Sequence, residues 1–137
     1  MKHTIITLIL TLILFRPGAH SESRPRMESP GKEFSLRIGK KISLRDTKLK
    51  IRFVSVLEDS RCPKGVQCVW QGNAKAIFEL SGIKRKPTIV RLNTGVEPKE
   101  VEYSGYTVRL VNITPEPKSG EKTNARRYEA TIVISNR

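Results

Sequence analysis

Residues 59–74 read DSRCPKGVQCVWQGNA, and the fold is decided by how this stretch is read. Its cysteines, Cys62 and Cys68, are the only two in the chain and enclose Pro63, Lys64 and Gly65. Pro63 fixes φ and Lys64-Gly65 supplies a tight reversal, so the ring turns the chain sharply between two strands. Asp59 and Ser60 ahead of it can accept hydrogen bonds from nearby backbone N–H groups in an Asx-type turn. Arg61 is free to pair with Asp59 or Glu58, or to face solvent. A zinc site takes four protein ligands, or three with an open position. The only histidines, His3 and His20, lie near the N-terminus, so Glu58 and Asp59 could complete only an uncommon mixed site. The spacing also differs from the C-x-x-C redox motif. A Cys62–Cys68 disulfide is therefore expected, contributing about 2–2.5 kcal/mol by loop closure. No metal and no cofactor is expected.

After the ring, Cys68, Trp70, Gly72, Ala74, Ala76, Phe78 and Leu80 alternate with Val69, Gln71, Asn73, Lys75, Ile77 and Glu79. A period of two with one mostly apolar face predicts a half-buried strand starting at Trp70, with the indole on the apolar side. Gly72 marks a bulge or a close approach of another backbone over the indole. Upstream, Phe34, Leu36 and Ile38 alternate with polar residues, and Ile42 and Leu44 resume the parity after Gly39, as one bent strand or two short ones. Leu49, Ile51 and Phe53 follow, with a parity change at Val54 and Val56 that predicts a bulge. Downstream lie Thr88–Asn93, an edge piece at Val101–Tyr103, Tyr106–Leu110 with a second parity change at Val111 and Ile113, and a last strand from Tyr128 to Ile134. Seven or eight short strands separated by turn signals predict a single all-β domain, an antiparallel immunoglobulin-like sandwich or a small barrel.

Residues 1–21 read as a secretory signal peptide: Lys2 and His3, an apolar run from Ile5 to Phe15, a break at Arg16-Pro17-Gly18, and Ala19-His20-Ser21 as the small-x-small site. Cleavage is expected before Glu22 or after Ala19. The run falls short of the ~20 residues a spanning helix needs, and no later run is longer. Residues 22–33 read as a disordered polar arm, and 34–137 as the β domain. Export places the protein in the periplasm or outside the cell, where disulfides persist.

The run Asp59-Ser60-Arg61-Cys62-Pro63 followed by Cys68-Val69-Trp70-Gln71-Gly72-Asn73-Ala74 resembles a pattern of small secreted bacterial β-domain proteins with no assigned chemistry. Leu36-x-x-Gly39, Gly105-Tyr106-x-Val108-x-Leu110 and Pro115-x-Pro117 look like parts of the same pattern. The resemblance implies a bacterial, exported, β-rich protein and carries over no functional residue.

The chain holds 26 Lys+Arg against 13 Asp+Glu. The leader contains two of the cations, Lys2 and Arg16, and no acid, so 26 less 2 less 13 leaves a formal +11 after cleavage before Glu22. Such a field attracts polyanions and anionic membrane surfaces, while surface lysines also block edge-to-edge pairing of strands. The clusters are Lys40-Lys41, the alternating Lys48, Lys50 and Arg52, Lys84-Arg85-Lys86 at a loop tip, and Arg126-Arg127. Nucleic acid is disfavoured, since exposed aromatics for stacking are scarce. An enzyme is not expected: the body lacks histidine, the commonest general base, and both thiols are taken up in the disulfide. Glu97, Glu100 and Glu102 read as a solvated acidic strip.

Three functions follow. The first is a non-catalytic exported domain binding a protein or an anionic envelope component through Lys48, Lys50, Arg52, Arg61, Lys64, Lys84, Arg85 and Lys86. The second is a protease inhibitor presenting Lys64 on the ring. The third is a structural accessory subunit docking through an edge strand.

Overall fold

Successive side chains of a strand point to opposite faces, so a segment with one apolar face must have that face covered. The computed structural model, which describes residues 26–137, meets this requirement with nine strands in two packed sheets. They are β1 (Arg26–Glu28), β2 (Glu33–Arg37), β3 (Lys41–Leu44), β4 (Lys50–Asp59), β5 (Ala74–Ser81), β6 (Thr88–Asn93), β7 (Glu100–Tyr103), β8 (Tyr106–Thr114) and β9 (Glu129–Asn136). One sheet runs β1-β3-β4-β5-β6 and the other β2-β9-β8-β7. All pairings are antiparallel except β1 with β3, which is parallel. Both sheets keep free edges, so the architecture is a sandwich and not a closed barrel.

The alternation expected from sequence is met along most strands. Phe34 and Leu36, Ile42 and Leu44, Ile51 and Phe53, Ala76, Phe78 and Leu80, Val108 and Leu110, and Ala130, Ile132 and Ile134 all lie in the core. Phe53 faces Phe78 across the β4–β5 ladder with ring centroids 5.1 Å apart, and each buried ring contributes about 1.5–3 kcal/mol of transfer free energy. The register of β4 against β5 shifts between Phe53 and Ser55 and again between Val56 and Glu58. That of β8 against β9 shifts between Leu110 and Asn112. These are the bulges that the parity changes announced.

Of the two readings of Phe34–Leu44, two short strands is the one met: Gly39, at φ 77°, turns the chain from β2 in one sheet into β3 in the other. Two expectations change. Part of the expected arm, Arg26–Glu28, forms an edge strand on β3. The central strand begins at Ala74, not Trp70. Gly72, at φ 74°, breaks the pleat, so the parity that runs through Phe78 does not extend back to Trp70, which stands 61% exposed. Residues 1–21, read as a leader, and the first four residues of the arm lie outside the described residues. Among the described residues no helix is long and apolar enough to cross a membrane.

Candidate functional site

The two ends of the sandwich carry the candidate residues. At one end lie the β3–β4 turn, the β5–β6 hairpin and the β7–β8 turn. A Cβ placed on Gly82 would lie 1.8 Å from the Lys48 carbonyl oxygen, so the backbones of the first two turns abut. Lys50 pairs with Ser81 in the β4–β5 ladder. The Lys84 backbone N–H donates to the Tyr103 hydroxyl at 3.4 Å, and its ammonium stands 5.0 Å from the centroid of the Tyr103 ring. Lys48, Lys50, Lys84, Arg85 and Lys86 therefore gather at one end, and all five are exposed. Arg45 in the β3–β4 turn and Arg137, whose backbone N–H bonds the Gly105 carbonyl, join them. The acids at this end are few: Arg137 pairs with Glu102 at 3.1 Å, and Asp46 sits in the β3–β4 turn. Arg52 stands apart. It lies mid-strand between Lys41 and Glu79, themselves 3.8 Å apart.

The opposite end holds the disulfide ring. Cys62 and Cys68 are bonded. Below the ring a short ribbon continues the β4–β5 pairing, with the Ser60 N–H on the Asn73 carbonyl at 2.7 Å and the Cys62 N–H on the Gln71 carbonyl at 2.9 Å. Gly72 is required there, because a Cβ would lie 2.0 Å from the Ser60 carbonyl oxygen. This is the close backbone approach that its sequence implied, made by Ser60 and not over the indole. The same glycine's carbonyl oxygen would lie 2.2 Å from a Cβ on Gly95, which locks the 94–98 loop against the ring base.

Two polar networks hold this end. In the first, Arg61, counted on sequence among the ligand contacts, is a clasp turned on its own chain. Its guanidinium binds Asp59 in a fork, Nε to Oδ1 at 2.8 Å and Nη2 to Oδ2 at 2.7 Å. It also donates to the carbonyls of Ile113 and, at 2.9 Å, Pro115. The Tyr128 hydroxyl completes the cluster on Asp59 at 3.0 Å. The Arg61 and Asp59 side chains are only 10% and 11% exposed, so the Arg61 charge is spent on the protein's own groups. Burial pushes the Asp59 carboxyl up, but the hydrogen bonds and charge of Arg61, with the Tyr128 hydroxyl, outweigh it and hold the carboxyl below its usual value. Burial, then the bond to Asp59 and its negative charge, raise Tyr128. In the second network, buried Asn73 donates to Asn93 Oδ1 at 2.9 Å and accepts from the Gly95 N–H at 2.9 Å, and Asn93 reaches the Pro98 carbonyl at 3.3 Å.

Above this base the ring projects. Pro63–Val66 is a tight turn closed by the Val66 N–H on the Pro63 carbonyl at 3.1 Å, with Gly65 at φ 79°, the pattern of a type II turn. Lys64 is at its corner, and its N–H is bonded to the Pro117 carbonyl at 2.9 Å. Val69 is exposed to 107% of its reference area and Val66 to 45%. Beside the ring lies an open, mostly polar hollow of about 250 Å³ whose lining includes Arg61, Gln71, Asn112 and Glu116 as well as Val111 and Pro117. Sequence reasoning missed this apolar tip because it carried strand parity past Gly72. Tyr103 and Tyr128 are buried, and Tyr106 is partly buried against the core. Glu100 and Glu102 share the exposed face of β7 and pair with Arg109 at 2.7 Å and Arg137 at 3.1 Å. Among the described residues no three His, Cys, Asp or Glu side chains gather as a metal site would need. No family model, curated protein or solved structure matches the chain.

Proposed function

We propose that this protein is an exported, non-catalytic β-sandwich module that binds a polyanionic component of the cell envelope at its basic end. The observation that carries the reading is the meeting of two separate sequence clusters: Gly82 against Lys48 brings the Lys84-Arg85-Lys86 tip beside Lys48 and Lys50. Cations held together on neighbouring rigid turns focus a field that isolated surface lysines do not, and multidentate phosphate or carboxylate groups suit it. The disulfide and the resemblance of the Asp59–Ala74 run to secreted bacterial β-domain proteins support a compartment outside the cytosol. The inhibitor reading has less support, since an inhibitor needs Lys64 in an extended segment and the residue occupies a turn corner with its N–H already bonded. Docking as an accessory subunit would use an open edge, of which β6, with Ile89 exposed, is one.

Titration with lipopolysaccharide and with anionic phospholipid vesicles tests the proposal. Binding is expected to weaken steeply as salt rises, and the triple substitution Lys84→Ala/Arg85→Ala/Lys86→Ala is expected to weaken it about tenfold or more. No binding at low salt, or binding indifferent to the triple substitution, rejects it.

A further inference from the structure

We infer that the protein lies flat on an anionic phospholipid bilayer, with the outer face of the five-stranded sheet against the headgroups. This rests on the proposed envelope-binding function and extends its site from one end of the sandwich along one side.

Strand parity sorts the side chains of that sheet. Ile51 and Phe53 of β4, Ala76 and Phe78 of β5 and Leu92 of β6 point into the core, so the residues alternating with them point out. The outward set includes Val54 and Ile89, both exposed, and Ile77, half-buried between them. Ser55 pairs with Ile77 and Glu79 with Ile89, so the register sets Val54, Ile77 and Ile89 diagonally across three strands. Ile83, at the β5–β6 hairpin tip beside Lys84, is exposed as well. Apolar side chains grouped in water and rimmed by polar ones mark an interaction surface.

Charge separates the two faces of the sandwich. Across the five-stranded sheet Lys41, Lys50, Arg52, Lys75 and Arg91 meet two acids, Glu79 and Glu58, which are taken up by Lys41 at 3.8 Å and Lys75 at 3.1 Å. Lys50, Arg52 and Arg91 have no acid in an ion pair among the described residues. Lys50 and Arg52 lie on the middle strand of the five, where a cation guards no edge. The outer face of the four-stranded sheet is balanced instead. Glu33, Glu100, Glu102 and Glu129 stand among Arg37, Arg109 and Arg137, with Arg37–Glu129 at 3.3 Å, Arg109–Glu100 at 2.7 Å and Arg137–Glu102 at 3.1 Å. A negative surface therefore draws one side of the molecule, continuous through Lys50 with the basic end.

Exposed apolar side chains among cations suit an interface that offers headgroup phosphates with acyl chain beneath them, where apolar burial adds to electrostatic attraction. A soluble polyanion would leave Val54, Ile77 and Ile89 in water. In lipopolysaccharide the sugars hold the acyl chains away from a flat face.

Co-sedimentation of the oxidised protein with phosphatidylcholine vesicles containing phosphatidylglycerol tests this, with inorganic polyphosphate as the soluble comparison. Arg52→Ala/Arg91→Ala is expected to weaken vesicle binding about tenfold or more. Arg37→Ala/Arg109→Ala removes equal charge from the other face and is expected to change it by less than about twofold. Ile89→Ser is expected to weaken binding to vesicles about threefold or more and to leave binding to polyphosphate as it was. Far-UV circular dichroism confirms that the variants fold. Equal effects of the two arginine pairs overturn the inference, since net charge alone would then act. Vesicle binding indifferent to Ile89→Ser overturns it too. So does vesicle binding lost in Trp70→Ala but kept in the face variants, which assigns the contact to the ring tip. Binding to lipopolysaccharide with none to the vesicles, or vesicle binding that responds to Lys84→Ala/Arg85→Ala/Lys86→Ala and not to Arg52→Ala/Arg91→Ala, overturns it and leaves the basic end as the whole site. Absence of binding to vesicles and lipopolysaccharide alike at low salt rejects the envelope-binding function as well.

Discussion

The two ends of this sandwich are built on opposite plans. At the base of the ring, side chains are committed to the protein itself: Arg61 to a carboxylate and two backbone carbonyls, Asn73 to a buried amide and an N–H, Gly72 to a contact that admits no side chain. At the basic end, tight turns bring cations together and leave them in water. Substitutions in the base below the ring should therefore be read in stability, and those at the basic end in binding.

The largest effect expected is from Asp59→Ala, which leaves the Arg61 charge buried without its carboxylate. Losing one partner of a buried pair costs about 3–5 kcal/mol, to be read from urea unfolding. A loss below about 1 kcal/mol would erase the contrast between the ends. Next comes Cys62→Ser/Cys68→Ser, expected to lower stability by about 2 kcal/mol through the freed ring, with binding at the basic end unchanged. Acid titration sharpens the same point. The folded Asp59 carboxyl lies below its ordinary value, so its contribution is complete above the ordinary carboxylate range. It is lost as pH falls from about 5 to below the folded value, a window in which the unfolded chain binds more protons. Asp59→Asn should flatten that part of the stability profile. The smallest effect is expected from Lys84→Ala/Arg85→Ala/Lys86→Ala, less than about 1 kcal/mol including the loss of the ammonium over Tyr103.

Much of the sandwich could be read from residues alone, because burial on one face leaves a period of two that survives translation into sequence. Phe34 and Leu36, Ile51 and Phe53, and Ala76 to Leu80 are such cases, and the parity changes at Val54 and Val111 located real bulges. The ring's closure followed from the lack of other ligands for Cys62 and Cys68. Three things left no such trace. The role of Arg61 depends on the carbonyls of Ile113 and Pro115, backbone atoms more than fifty residues away that carry no side-chain signal. The position of Trp70 depends on a positive φ at Gly72 that cancels the alternation. The grouping of Lys48 with Lys84-Arg85-Lys86 depends on strand order, which lets two of the eight candidate residues, Arg61 and Lys64, fall at the far end and leaves Arg52 mid-face. A signal for the Asn73–Asn93 pair did exist: each asparagine stands at the border of an apolar strand, where a buried amide needs a partner.

The seam between β2 and β9 has a kinetic consequence. Phe34 lies opposite Ile132 and Leu36 opposite Ala130, so the pairing joins segments nearly a hundred residues apart. Strands β3 to β6, and separately β7 to β9, can pair through neighbouring connections, whereas this seam closes the longest loop in the fold. That closure carries the largest chain-entropy cost of the strand pairings and is expected to slow assembly. Until it happens β9 presents an open hydrogen-bonding edge, and the newly made protein is most exposed to aggregation in that interval.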